Sequence, residues 1–162
     1  MSAPVLVLTT GGTIDKVYFD ASSEYEIGEP TVPHVFREAG VALDWRVHSL
    51  LRKDSLEMTP EDRSAIRAAC EEAPESRILS THGTDTMSHT GEALLGIAGK
   101  TIVLTGALAP ARFRVTDAIF NLGLALGAVQ SLPEGVYLAM NGTIFEAGKV
   151  RKNRDAGKFE SL

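Results

Sequence analysis

The sequence predicts an α/β domain built on a mostly parallel sheet, and three observations lead there. Short apolar runs ending in glycine-containing turns recur along the chain, helical patterns lie between them, and none of the runs is long enough to span a membrane. With 162 residues and 44% apolar content, the chain has the length of one domain and enough apolar surface for a core.

The first run, residues 4–10, is rich in Val and Leu and stops at Gly11-Gly12, as a buried strand feeding a tight turn would. Similar runs follow at Arg77 to Ser80, Thr101 to Thr105 and Val136 to Met140. Between them, Thr59-Pro60-Glu61-Asp62 reads as an N-cap, a proline at the first helical position and acid in the first turn. Its apolar stripe is Ile66, Ala69, Cys70 and Ala73, and Pro74 stops it. A second helix is expected over Glu92 to Ala98, ended by Gly99. A third is expected over Thr116 to Gln130, with Ala118, Leu122, Ala125, Leu126 and Val129 facing inward. Residues 15–35 show no clear periodicity and read as a long loop, a lid or binding loop being one expectation and disorder another. The stretch from Arg151 to Leu162 is polar and short, and reads as a tail.

Composition excludes several classes. A net charge of -5 with Lys and Arg scattered gives no footprint for nucleic acid, and 23% charged residues is not the composition of a disordered chain. One cysteine, Cys70, makes no internal disulfide, and four separated histidines give no zinc spacing, so neither metal nor cofactor is expected. The N-terminus shows no basic flank, hydrophobic stretch or cleavage site, which makes the cytoplasm the expected location.

Parallel α/β sheets bind ligands beyond the carboxyl ends of their strands. Two hydroxyl-rich loops fall there. Thr10-Gly11-Gly12-Thr13-Ile14 sets two residues without side-chain bulk before a threonine, so backbone amides can approach a small ligand. It lacks the spacing of a phosphate-binding loop, and a plain glycine turn is the competing reading. Threonine is a poor nucleophile without a partner to take its proton. Thr81-His82-Gly83-Thr84-Asp85-Thr86-Met87 leaves the strand ending at Ser80 on the same rim. There Asp85 can grip an ammonium group and Thr84 can pass a proton, or both can simply cap the next helix. His82 reads as a buried structural histidine, with a base or metal role as the alternative.

Together these loops resemble the signatures of the bacterial-type L-asparaginase family, a Thr-Gly-Gly-Thr-Ile turn and a His-Gly-Thr-Asp-Thr loop, both complete here. The likeness continues through Asp54-Ser55-Leu56-Glu57-Met58-Thr59-Pro60-Glu61-Asp62, Thr105-Gly106-Ala107, Asp117 with Asn121-Leu122, and Lys152 with Phe159 and Ser161. The resemblance implies a three-layer (αβα) Rossmann/flavodoxin-like fold, a single domain over 1–162. It implies hydrolysis of asparagine, with glutamine slower, through Thr13 as nucleophile and an acyl-enzyme. Tyr25, matching the tyrosine of the family's mobile loop, would assist Thr13, while Thr84, Asp85 and Lys152 would form the second hydroxyl, carboxylate and ammonium cluster. Ser55 would hold the substrate α-carboxylate, Asp85 the α-ammonium, and Glu57 would lie near the substrate. The backbone at Gly12 and Gly83 would line the substrate pocket. Whether Lys152 serves as base or as electrostatic anchor stays open at this level.

Most family members are about twice this length, with a second domain that supplies an acidic residue to the neighbouring site. That domain is expected to be absent here, leaving Asp85, Glu24, Glu57 or a partner subunit to supply the charge. Apolar surface exposed by its absence predicts a homodimer or homotetramer. Leu108-Ala109-Pro110-Ala111, and Val115-Thr116-Asp117-Ala118 in place of a Ser-Ala-Asp-Gly pattern, depart from the family in ways that touch an interface more than the chemistry. Two competing functions remain: a binding module for aspartate or asparagine with a dead site, and an amidase subunit that works with a partner chain on a larger substrate.

Overall fold

Alternating strands and helices fold in the order Val5–Gly11 (β1), Lys16–Phe19 (β2), Glu24–Ile27 (β3), Val32–Glu38 (α1), Trp45–Lys53 (β4), Pro60–Glu72 (α2), Arg77–Thr81 (β5) and Met87–Ala93 (α3). They continue with Thr101–Thr105 (β6), Ala118–Ser131 (α4), Gly135–Met140 (β7), Thr143–Glu146 (β8), Val150–Asn153 (β9) and Lys158–Ser161 (β10). The structure is a computed structural model that describes residues 3–19 and 24–162, with the side chains of Phe19 and Glu24 left outside the description.

One six-stranded sheet runs β4-β1-β5-β6-β7-β8. Its first five strands are parallel and β8 turns back antiparallel on β7. Counted among themselves, the parallel strands take the 2-1-3-4-5 order of doubly wound sheets. The chain leaves β1 toward β4 on one side and reaches β5 on the other, so the β1/β5 border is the topological switch point.

Side chains alternate across the sheet, and each face is covered. Leu6, Leu8, Ile78, Ile102, Leu104 and Leu138 pack with Ile66 and Cys70 of α2 and Met87 of α3. Val5, Val7, Leu79 and Val103 pack with Val32, Val35 and Phe36 of α1 and with Ala118, Leu122, Ala125 and Val129 of α4. The result is the helix–sheet–helix sandwich that the runs and intervening helices predict. Burial pushes the Cys70 thiol up to about 12, so it packs as a small apolar group.

Two local predictions hold closely. The α2 start has the full capping box, with Asp62 N on Thr59 Oγ1 (3.2 Å) and Thr59 N on Asp62 Oδ2 (2.9 Å). Helix α4 buries Ala118, Leu122, Ala125 and Val129 as expected, with Leu126 only partly covered.

Elsewhere the structure differs. The helix expected over Glu92 to Ala98 is α3, over Met87–Ala93. The polar residues of its first turn hide the start, and Gly96, at φ +86°, lies where a helix does not continue. The long loop read at 15–35 holds a hairpin, β2 paired antiparallel to β3 with Tyr18 opposite Tyr25, and then the start of α1. Ser22 and Ser23 lie outside the described residues. The polar stretch after Val150 is a second hairpin, β9–β10, anchored by buried Phe159 and by Phe159 N donating to Asn141 Oδ1 (2.8 Å).

Candidate active site at the switch point

Three chain segments converge where β1, β4 and β5 end. From β1, Gly12 has φ +89° and ψ −179°, a conformation that belongs essentially to glycine. A Cβ there would lie 2.5 Å from the Gly83 nitrogen, so the two loops touch backbone to backbone. Gly12 N donates to Lys53 O (3.0 Å), which ties the turn to the end of β4. A single 3-10 turn, Thr13–Asp15, then presents Thr13 half-buried. Its hydroxyl has no hydrogen-bond partner among the described residues.

Asp15 closes that turn and is buried. It accepts from Thr31 N (2.9 Å) and Thr31 Oγ1 (2.8 Å), and desolvation holds its carboxyl above the usual range despite those bonds. It thereby fixes the Thr13 turn to the start of α1.

From β4 comes a second 3-10 turn, Ser55–Glu57, capped by Asp54 Oδ1 accepting from Leu56 N (3.0 Å). Ser55 is nearly inaccessible, at 1% exposure. Thr86 N donates to its Oγ (3.2 Å), and Thr86 Oγ1 donates to its carbonyl (2.8 Å). A Cβ at Gly83 would sit 2.7 Å from the Ser55 Cβ, so this glycine is also set by close approach. Glu57 lies on the same turn, exposed, with no hydrogen bond from its side chain to a described residue.

From β5 come Thr84 and Asp85, met by Lys152 of β9. The Lys152 ammonium donates to Thr84 Oγ1 (2.7 Å) and Asp85 Oδ1 (2.8 Å). Lys152 is therefore part of a three-group cluster and not of a tail. Arg154 stands on the solvent side of the same carboxylate, with Nε 3.5 Å from Asp85 Oδ1. The alternative in which Asp85 and Thr84 cap the next helix is not seen: both side chains bond Lys152, and α3 has no side-chain cap.

His82 lies fully buried beneath these loops. Its Nδ1 is 2.7 Å from Gly83 O and its Nε2 is 2.7 Å from Thr90 Oγ1, partners that assign the neutral tautomer protonated on Nδ1. Desolvation above all lowers its pKa to about 4, so it acts as a neutral strut.

Arg63 of α2 joins this support. Its Nη2 donates to Thr86 Oγ1 (2.9 Å) and its Nε to Thr90 Oγ1 (3.2 Å), bracing the Ser55 and His82 contacts together. The sequence reading misses Arg63, Asp15 and Thr86; each acts on residues distant along the chain, and no local pattern reports that. Beyond β6, Asp117 accepts from Leu108 N (2.9 Å) and Ala109 N (3.0 Å), and Asn121 Nδ2 donates to Gly106 O (2.9 Å). These two shape the third loop of the rim.

Tyr25 comes from the β2–β3 hairpin and is 49% exposed. Its ring packs on Tyr18 (centroids 5.4 Å) and Phe113 (6.0 Å), and no hydrogen bond joins it to Thr13. The structure thus brings Ser55, Gly83, Thr84, Asp85, Lys152 and Gly12 together, with Thr13 beside Gly12 and Tyr25 on a neighbouring hairpin. Among the described residues no group of three His, Cys, Asp or Glu is gathered for a metal ion. A cavity of about 470 Å³ lies elsewhere, between α1 and Ala111, Arg112 and Ile119, and holds none of these groups.

Known proteins share this fold. The family model for the asparaginase N-terminal region matches residues 4–161. The chain is 32% identical to an L-asparaginase of Thermococcus kodakarensis over 174 residues, covering 98% of this chain and 51% of the relative. It is 30% identical to L-asparaginase 1 of Escherichia coli K12, covering 91% of this chain and 47% of that protein. It superposes on the thermostable L-asparaginase from Thermococcus kodakarensis with a TM-score of 0.84 at 28% identity, covering 98% of this chain and 51% of that one. The L-asparaginase I of Vibrio cholerae shares the fold, with a TM-score of 0.86 at 24% identity over 99% of this chain and 52% of the other. The chain spans about half the length of the curated relatives it matches. With the family match running from residue 4 to residue 161, and the two glycine loops meeting at the switch point, the chain belongs to the asparaginase family.

Proposed function

We propose that this protein is an amidohydrolase that converts L-asparagine to L-aspartate and ammonia. The observation that carries the reading is the Lys152 ammonium held on both Thr84 Oγ1 and Asp85 Oδ1, on the rim that Gly12 and Thr13 share. Because Lys152 donates to Thr84, the threonine's own hydroxyl proton is left to point outward, toward an amide. Family membership supports the reaction class, and the activity for which the relatives are named supports asparagine as the amide.

In this reading Thr13 Oγ attacks the amide carbon, assisted by Tyr25. Backbone amides of the Gly12 and Gly83 loops face the oxygen that becomes negative, and ammonia leaves with a proton passed through Thr84. Water then releases aspartate from the Thr13 ester. Ser55 and Asp85 hold the α-carboxylate and α-ammonium, with Glu57 as a further carboxylate for the ammonium. Lys152 acts as the anchor of the cluster. Oxyanion donors of this kind contribute about 2.7–4 kcal/mol each, so loop placement matters as much as the nucleophile.

Ammonia release from asparagine and glutamine by the purified chain is the direct test. Thr13→Ala and Thr84→Ala are each expected to abolish release in a folded protein, Thr13→Ala with melting unchanged and Thr84→Ala with melting lowered by loss of the Lys152 contact, and full activity in a folded Thr13→Ala variant would overturn the nucleophile assignment. Self-association is part of the proposal. Leu108, Phe113, Val115, Ile119 and Phe120 are all exposed along one segment, and light scattering is expected to give a multiple of the chain mass. The half-length match keeps one second reading in play, an amidase subunit completed by a partner chain. Weak activity restored by a co-purifying protein would favour it.

A further inference from the structure

We infer that Arg154 is a specificity-determining residue that binds the substrate's carboxylate, an inference that rests on the amidohydrolase reading above. Lys152 lies on β9 and Arg154 opens the turn that follows it, and both reach the same Asp85 oxygen, but in different ways. Lys152 is 13% exposed, and two of its three N–H donors are engaged by Thr84 and Asp85. Arg154 is 61% exposed and pairs with Asp85, its Nε lying 3.5 Å from Oδ1. Its two terminal nitrogens make no hydrogen bond to a described residue.

Of the neighbouring charges, Arg151 is paired with Glu160 and Lys149 with Glu146, whereas the adjacent, exposed Asp155 makes no ion pair with a described residue. At Asp85 itself two cations meet one carboxylate. Ser55 offers the substrate carboxylate little on its own. It is 1% exposed, and its Oγ already accepts from Thr86 N, so one neutral O–H remains to donate. A planar guanidinium with a free fork matches the two oxygens of a carboxylate far better. Held at its Nε by Asp85, Arg154 presents that fork beside the carboxylate assigned to the substrate's ammonium. The two together would recognise the zwitterionic end of an α-amino acid.

The test is Arg154→Gln and Arg154→Lys, assayed on asparagine and on 3-aminopropanamide, which is asparagine without its α-carboxylate. For Arg154→Gln, KM for asparagine is expected to rise roughly tenfold, the loss typical of a charged hydrogen-bond partner, with kcat within about twofold and Arg154→Lys intermediate. The loss on 3-aminopropanamide should be far smaller, which a merely structural role would not give. An unchanged KM for asparagine, equal losses on the two amides, or a lower KM would each overturn the inference. A lower KM would mean that Arg154 competes with the substrate ammonium for Asp85. Calorimetric titration with aspartate reads the same contact without turnover. A chain that releases no ammonia but loses aspartate affinity in Arg154→Gln would refute the proposed reaction and retain the role of Arg154. Unchanged aspartate affinity would refute that role whatever the activity.

Discussion

On the β5 side of the switch point, Lys152 donates to Thr84 and Asp85 (2.7 and 2.8 Å), and Thr86 of the same loop binds Ser55 of the β4 loop (3.2 Å), with His82, Thr90 and Arg63 behind them. On the β1 side, Thr13 has no hydrogen-bond partner for its hydroxyl among the described residues, and Tyr25 is held through ring contacts on an exposed hairpin. The first half is organised before any substrate arrives, whereas the second has its chemical groups still to be joined. Under the proposed reaction, substrate binding then has mainly the Thr13 side left to order, and preorganised groups act at the least entropic cost. Changes on the β5 side should therefore disturb stability and chemistry together, and changes at the hairpin should disturb chemistry alone.

The largest effect is expected where the two halves touch. Gly12→Ala places a Cβ against the Gly83 backbone in a region of φ and ψ that only glycine occupies readily. Strain and clash together should lower unfolding free energy by about 3–5 kcal/mol and abolish ammonia release. Gly123→Ala is the matched control. It lies in α4 with nothing within 4 Å of its added Cβ, and should stabilise by about 0.5–1 kcal/mol. Urea denaturation of both variants decides whether the contact between the loops, and not glycine in general, sets the site.

Acid should loosen the β5 side next. His82 in the unfolded chain titrates near 6.5 and in the folded chain near 4, so between these values the unfolded state binds the extra proton. Its contribution is fully present above pH 6.5, falls as pH drops, and is exhausted near pH 4, amounting to about 3 kcal/mol in all. Glu75 and Asp62, whose carboxyls are held low by Arg46 and Lys53, lose their contributions only further into acid. Urea midpoints from pH 7.5 to 4.5 should fall steeply in the parent and less in His82→Gln. Parallel curves would remove the histidine from the account.

Arg63→Met keeps the apolar stem and deletes the bonds to Thr86 and Thr90. A loss of about 1–3 kcal/mol is expected, with KM for asparagine raised through Ser55. Because the Arg63 charge also depresses the His82 pKa, the same variant should narrow the acid window. A variant that loses stability with an unaltered pH profile would separate the two roles.

How much of this was legible in the sequence follows from what periodicity can report. Strands β1, β5, β6 and β7 are buried on both faces and stand out as apolar runs, and the α2 start is written in Thr59, Pro60 and Asp62. Edge strand β4 mixes Trp45 and Val47 with Arg46, His48 and Ser49, so its half-exposed alternation is hidden. The placement of the glycine loops on one rim follows from parallel strands alone. Lys152 could be placed only through resemblance, because a residue 68 positions from Thr84 leaves no local trace of their contact. Arg63 and Arg154 leave none either, and the sequence reading passes them over as ordinary surface charges.

The smallest stability effect, and the sharpest test of the β1 side, is Phe113→Ala. Phe113 is 40% exposed and touches Tyr25 with ring centroids 6.0 Å apart, so its removal should leave unfolding free energy within about 0.5 kcal/mol. If that ring holds Tyr25 in place, ammonia release should nevertheless drop about threefold to tenfold, the equivalent of one aromatic pair. Added to Tyr25→Ala, the same substitution should have no further effect, because the residue it positions is already gone. Additive losses in that cycle would mean that Phe113 acts on the third loop, whose turn Asp117 holds at Leu108 and Ala109, and not on the hairpin. A loss that also lowers stability would show that the hairpin belongs to the preformed half, and the contrast between the two sides would fail there.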